Sequence, residues 1–576
     1  MSGEPGSPVT EAGRRPGPWI LLLLVVVTAA GFWLRWLYAR DVPLFVDEYL
    51  QVRAAQRILD RGIPLLPSGN FYSHGLIVSY MIAPIVATGT RALWLIRLPV
   101  LVLSTAAIPL AYITGRRMFS PGAGLVAAAL LAFAPEAILW GGRVRMYAPL
   151  QVFIQLATLA FYLWVVCGQS RPLYRFGFVL AYWAALFSQV EAGILLPLWG
   201  LWALVQRGLR WCLRPANLTA FALAGASILI EIGLRTIGPP VQTWLAPGVF
   251  QPTPRQYLGA GLDWPGAWKV VQPLFATPVR LPLAVLGIAG LAWLIVAGVR
   301  RVAASRANES EANKRSETSP IRLRPAGSDS LTPFAYLYFL LIPSLALLLF
   351  GVDPDWKSPR YGLMLLPIFF VLAGGLLALL GRRLQAGLVS LSRRRLPEQD
   401  RDSSGGGPSP TSPLPQRGGL RGGLLPLLAQ TALVLVIAAG SWAPALAATR
   451  ETVPDYRWAL EYVQARWQSG DVLVTFLCQA GLFEIGRCDY LAIPTDYEGF
   501  AFQKDGRWVS GWDEVPILDS AEGLRQVLVT APHAWFVIDE GRFQRRYTPE
   551  FVQTVLDGME LAARDRELLI FRSARP

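Results

Sequence analysis

The chain has 576 residues, 53% of them hydrophobic and 16% charged, with a mean hydropathy of +0.39. That is too apolar for a soluble globular protein of this size and points to a polytopic membrane protein. The net charge of +14 is accompanied by no RNA- or DNA-binding motif, so it reads as basic cytoplasmic loops facing anionic lipid and excludes nucleic acid as the expected partner.

In chain order, the first apolar run, Pro18 to Ala39, is long enough to span a bilayer. It lacks a small-residue cleavage site and many similar runs follow it, so it reads as an anchor and not a removed signal peptide. Asp47 and Glu48 stand immediately after it, in Phe45-Val-Asp-Glu-Tyr49, at the membrane surface, where ionisable side chains usually serve function. Further apolar runs at about 93–115, 122–141, 147–168, 174–190, 191–206, 216–238, 281–299, 333–350, 361–380 and 424–446 bring the expected number of spans to about eleven. Basic clusters follow alternate runs, at Arg116-Arg117, Arg171 and Arg175, Arg207 to Arg214, Arg300 to Arg315, and Arg382 to Arg395, and the positive-inside rule assigns them to the cytoplasm. A full crossing by Gly75 to Gly89 would reverse every later cluster, so this run is expected to be re-entrant or to lie on the surface beside the Asp47 loop.

Residues 303–330 and the Gly/Pro/Ser-rich 397–422 read as disordered cytoplasmic linkers. Asn217-Leu-Thr219 matches a glycosylation acceptor but follows a cytoplasmic basic cluster, which argues against its use. Beyond residue 447 the pattern changes. Asp455 opens an amphipathic helix that leads through Ser469-Gly470-Asp471 into an apolar strand, and Ala534 to Asp539 and Leu568 to Phe571 read as further strands. The expected organisation is therefore a mainly α transmembrane domain over 1–446 and a small extracytoplasmic α/β domain over 447–576. Cys478 and Cys488 fall in that second domain and are disulfide candidates, two free thiols being the alternative.

This topology gathers most of the unusual polar residues on the outer face: Asp47, Glu48, His74, Arg143, Arg145, Tyr147, Glu191, Asp353, Asp355, Lys357, Arg360 and Tyr361. A carboxylate there can take a proton from a hydroxyl or, as the pair Asp47 and Glu48, hold a divalent cation such as Mg or Mn, while Arg clamps a phosphate. Acids beside basic clamps suit a phosphate leaving group. Two histidines in the whole chain leave little for a zinc site, and no Gly-rich phosphate loop ending in Lys-Ser/Thr occurs. Asp353 and Asp355, around Pro354, read more readily as turn formers. Trp244, Phe250, Tyr257, Trp264 and Trp268 read as membrane-interface anchors or as a lipid-facing lid.

Five motifs in order, Phe45-Val-Asp-Glu-Tyr49, Ile96-Arg-Leu-Pro99, Gly115-Arg-Arg-Met-Phe119, Arg145-Met-Tyr147 and Arg360-Tyr-Gly-Leu-Met-Leu-Leu-Pro367, make the chain resemble the GT-C superfamily of membrane glycosyltransferases. The resemblance is to bacterial enzymes similar to protein O-mannosyltransferases and lipid A aminoarabinose transferases, of glycosyltransferase family 39 type, and it covers most of residues 18–380. It implies inverting transfer of a sugar from a polyprenyl-phosphate donor to a hydroxyl of a protein, lipid or glycan at the outer face of the plasma membrane. It further implies Asp47 as general base, with Glu48, His74 and Glu191 near the acceptor or a metal. Arg145 and Arg360, with Arg143, Tyr147 and Tyr361, would hold the donor phosphate. A transporter or flippase of a lipid-linked saccharide is the competing class, but it calls for charges along a path through the bilayer and for an inverted repeat, and neither is evident.

Overall fold

The computed structural model describes residues 17–237, 263–313, 331–351, 357–394, 421–493 and 501–573. All eleven expected runs are helical. Eight helices are long and apolar enough to cross a bilayer, namely α1 (Pro18–Asp41), α4 (Leu93–Met118), the helix Tyr147–Val166 that starts as α7 (Tyr147–Phe161), and those over Pro215–Arg235, Leu281–Arg301, Thr332–Phe350, Pro359–Gln385 and Leu428–Ala448. α5 (Pro121–Ala132) and α6 (Pro135–Gly141) are long and apolar enough only as a pair, bent by 63°, a broken span or a re-entrant loop. α8 (Pro172–Ser188) and α9 (Leu195–Arg207) are shorter, at 17 and 13 residues. This is an integral multi-pass membrane protein.

The bend between α5 and α6 has a local cause. Pro135 cannot donate to the preceding turn and pushes Ala134 to an extended backbone, ψ 116°. The carbonyls of Leu131 and Ala132 then accept from the buried Arg35 guanidinium at 3.0 and 3.1 Å, which also donates to Gly31 O and Ser104 Oγ. A charge in the bundle is tolerable on those terms, because each lost helix bond is replaced.

α2 (Val46–Arg61) and α3 (Leu76–Val86) form the connection between the first two spans. At 11 residues α3 is about 16 Å long, too short to cross a hydrocarbon core of about 30 Å. One linker boundary needs correction: the helix Leu281–Asn313 runs past residue 303, through Ala, Arg and Glu residues that favour helix. Residues 314–330 and 397–420 lie outside the described residues, and the last long helix starts at Arg421.

The C-terminal unit is α/β. Six strands, β1 (Val472–Thr475), β2 (Tyr490–Ala492), β5 (Ile517–Leu518), β6 (Ala534–Asp539), β7 (Met559–Asp565) and β8 (Leu568–Ser573), lie in the order β5-β2-β1-β6-β8-β7. The first four are parallel, and β8 and β7 continue antiparallel. β6 is buried throughout, as a parallel strand covered on both faces should be. Phe536 and Ile538 pack with Leu524, Phe551 and Val555 on one face. Trp535 and Val537 pack on the other with Tyr456, Leu460 and, from the membrane part, Leu44 and Tyr49. β3 (Ala501–Lys504) and β4 (Arg507–Ser510) form a hairpin whose two-residue loop, Asp505-Gly506, has positive φ at both positions, as a tight hairpin turn requires. Phe502 and Val509 from it pack on Ala54, Leu66 and Tyr72. The C-terminal unit thus clamps α2, the helix that opens on the acid pair.

Cys478 and Cys488 form a disulfide closing a separation of 10 residues. Reduction should lower the unfolding free energy of this unit by about 2–3 kcal/mol, the loop-closure effect for so short a ring, read as a lower urea midpoint in detergent with dithiothreitol.

Candidate active site

Asp47 occupies the first turn of α2, where a carboxylate suits the positive end of the helix dipole. Two arginines from distant parts of the chain reach its Oδ2: Arg145 Nη2 at 3.4 Å, from the turn between α6 and α7, and Arg360 Nη1 at 3.6 Å, from the short 3-10 helix Pro359–Leu365. Neither distance is that of a tight, locked fork, so both guanidiniums remain able to serve an added anion. Arg145 Nη1 also donates to the Asp47 carbonyl at 3.0 Å and to Tyr72 Oη at 3.3 Å, which fixes Arg145 against the backbone of α2. Arg360 donates to Tyr361 Oη at 3.3 Å and lies over the rings of Tyr361 and Tyr147, 5.2 and 6.0 Å from their centroids. Among the described residues, the buried Nε atoms of both arginines have no hydrogen-bond partner. The Asp47 and Arg360 side chains each keep 28% of their surface open, so the cluster has a mouth.

Glu48, one residue on, faces inward and is fully buried. Arg97 of α4 grips it with Nε to Oε1 at 2.9 Å and Nη2 to Oε2 at 2.7 Å, and the N–H groups of Val144 and Phe45 donate to the same two oxygens at 2.7 and 2.8 Å. Arg97 spends its remaining donors on the carbonyls of Ala39, Val42 and Pro43. Glu48 is therefore a brace tying α2, α4 and the Arg145 turn together, which corrects the expectation of an acceptor contact. As paired here, Glu48 also offers no free oxygen to a Mg or Mn ion. With Glu48 saturated, Asp47 would be the lone carboxylate of the pair, facing two guanidiniums, and among the described residues no three His, Cys, Asp or Glu side chains converge.

Arg143 is also corrected as a phosphate ligand. It turns away from Asp47, donating to Tyr38 Oη at 2.7 Å and pairing with Glu451 at the start of the C-terminal unit. The rings of Phe45 and Trp140 sandwich it at 4.2 and 4.6 Å. Only 2% of Arg143 is exposed, and its donors face Tyr38 and Glu451, away from Asp47.

Fold comparison follows this geometry. The crystal structure of ArnT from Cupriavidus metallidurans bound to undecaprenyl phosphate matches with a TM-score of 0.56 at 14% identity, covering 96% of this chain and 98% of that one. The apo state of the same protein gives 0.55 at 14% identity, over 96% and 97%. The chain has the GT-C fold. No protein-family model matches it, and no curated protein does.

Within this GT-C fold, His74 lies near both Arg145 and Arg360 with its ring 6.0 Å from that of Tyr72, and Glu191 lies near Arg360. Burial, with Arg235, Arg145 and Arg360 nearby, holds His74 well below its usual range, so its imidazole is neutral. Burial raises the Glu191 carboxyl, against the pull of Arg235 and Arg360. Gln189 Nε2 donates to Glu191 Oε1 at 2.9 Å, and the Gln189 side chain also hydrogen-bonds His74. Gly75 adopts φ +64° ahead of α3, and a Cβ there would stand 2.9 Å from Gln51 Oε1. Gln51 donates to the Gly75 carbonyl at 2.9 Å, so this glycine lets α2 and α3 approach. Lys357 faces Asp263 at 3.6 Å. Trp264 and Trp268 are exposed on the helix Trp264–Phe275, while Asp353, Asp355, Trp244, Phe250 and Tyr257 lie outside the described residues.

Reasoning from sequence gave Arg97, inside the Ile96-Arg-Leu-Pro99 motif, no role, and it missed Tyr72 and Glu451. An Arg inside an apolar run at 93–115 was a usable signal, because such a charge demands a buried acid. Tyr72 and Glu451 carried none, since each is defined by a contact across the fold.

Proposed function

We propose that the protein is an inverting glycosyltransferase that moves a sugar from a polyprenyl-phosphate donor to a hydroxyl acceptor at the extracytoplasmic face of the plasma membrane. The observation that carries this reading is the meeting of Asp47, Arg145 and Arg360 at one end of the bundle. Asp47 takes the proton of the acceptor hydroxyl, whose oxygen attacks the anomeric carbon from the face opposite the donor phosphate. The bond between that carbon and the phosphate oxygen breaks with its electron pair going to the phosphate. Arg145 and Arg360 stabilise the charge that develops there, and no nucleotide site is needed.

The resting ion pairs fit this order of events. Before the donor binds, both guanidiniums lean on Asp47. A donor phosphate competes for them and leaves the carboxylate freer to act as a base. The undecaprenyl phosphate held by ArnT in its crystal structure supports a polyprenyl carrier as the ligand class, given the shared fold.

Purified protein in detergent, given a synthetic polyprenyl-phosphate sugar and a hydroxyl acceptor, should release free polyprenyl phosphate. A transporter would need a sealed membrane and would leave the donor intact, so absence of turnover with a panel of donors would sink the enzyme reading. Arg360→Ala should raise the donor KM about tenfold or more, the loss of one charge-assisted phosphate contact. An unchanged donor KM would count against the clamp.

A further inference from the structure

A second cleft, of about 560 Å3, opens between α1, the helix Arg421–Ala448 and the turn joining β7 to β8. Its chemistry is layered. Trp33 and Leu37 of α1 and Trp442 and Leu446 of the last long helix line its apolar part, and the two indoles stack at 6.2 Å with planes 11° apart. Both are large exposed rings on helices that meet the bilayer, 46% and 41% open. Seven residues further along each helix, about 10 Å at the helical rise, stand Arg40 and Thr449, joined by Arg450 and by Arg566 from the β7–β8 turn.

Two acids share the rim, and both are already engaged. Asp41 takes two donors of Arg40 at 2.6 and 2.8 Å, and Glu451 accepts from Tyr38 at 2.8 Å and pairs with Arg143. Arg450 and Arg566 have no ion pair among the described residues. Arg566 also holds φ 49°, a left-handed conformation that favours Gly or Asn. Arg566 thus brings a positive charge to the cleft from a backbone position that a glycine would occupy with less strain.

We infer that this cleft binds the phosphate headgroup of an anionic membrane phospholipid, with Arg450 and Arg566 on the phosphate and the acyl chain along Trp33 and Trp442. The site would seat the C-terminal unit on the membrane surface, and it stands independently of the glycosyl-transfer reading. A headgroup fits better than free phosphate because the basic rim continues directly into an apolar, bilayer-facing wall.

The test is lipid retention by the delipidated full-length protein, read by native mass spectrometry with phosphatidylglycerol or phosphatidylcholine. Phosphatidylglycerol should be retained in preference to phosphatidylcholine. Arg450→Gln and Arg566→Gly should each reduce that retention about fivefold, the effect of one basic side chain at an anionic surface. Arg566→Gly should lose lipid without losing thermal stability, since Gly relieves the left-handed turn, and this separates a binding role from a structural one. Inorganic phosphate in excess should not displace the lipid. Equal retention of the two lipids, indifference to both substitutions, or full displacement by inorganic phosphate would each overturn the proposal.

Discussion

Asp47→Asn is expected to cut sugar transfer by about a hundred- to ten-thousand-fold, the range of general-base catalysis, while the protein accumulates and melts as before. The fold should tolerate the change because the contact that anchors this turn, Arg145 Nη1 to the carbonyl of residue 47, involves backbone and survives. Asn also keeps the volume and an acceptor oxygen at the start of α2. What it removes is the charge that Arg145 and Arg360 share at 3.4 and 3.6 Å. Released from that competition, the two guanidiniums should hold a donor phosphate at least as well, so the donor KM should stay level or fall while kcat collapses. That split is the diagnostic feature of the experiment. A loss of donor binding equal to the loss of rate would recast Asp47 as an anchor for the arginines, and full activity would end its role as base.

How much of this was readable beforehand differs between levels of structure. Apolar length and the alternation of basic clusters carried the eleven helical runs, because each reflects a constraint local to its own segment: the thickness of hydrocarbon and the side on which charge stays. The strands Val472–Thr475 and Ala534–Asp539 were legible for a similar reason, being short apolar runs bounded by turn residues. The break at Pro135 was present in the sequence as a proline in an apolar stretch, but its consequence depended on Arg35 arriving from α1 to satisfy the freed carbonyls.

The site residues divide along the same line. Asp47 and Arg145, singled out by their place at the end of a span, meet in the structure, whereas Glu48 and Arg143 have the same address and pair elsewhere. Adjacent residues at a helix start point about 100° apart, so one carboxylate of the pair faces the mouth and its neighbour faces α4. Arg143 and Arg145 diverge in the same way, one to Glu451 and one to Asp47. Sequence sets the depth of these groups in the membrane; the direction each one faces comes from packing.

That direction makes the Glu48–Arg97 pair the place where the fold is most exposed to a single change. Both side chains have 0% exposure, and between them they engage α2, α4, the end of α1 and the turn that carries Arg145. Removing one member of such a pair leaves a desolvated charge, which costs about 3–5 kcal/mol, far more than the pair contributes against an apolar substitute. Arg97→Met should therefore lower the unfolding free energy by about that amount and deplete the protein from membranes. Glu48→Gln should do likewise, because the neutral amide can neither balance Arg97 nor accept all four of the donors that converge there. Joining the two substitutions should recover part of the loss, since the double variant buries no unpaired charge, and a thermodynamic cycle in detergent would measure the coupling. Activity should fall further than stability in every variant that still folds, because Val144 donates to Glu48 one residue before Arg145 and the slack passes straight to the phosphate clamp. Variants that fold less stably but transfer sugar at the original rate would show that the brace and the active site are separate.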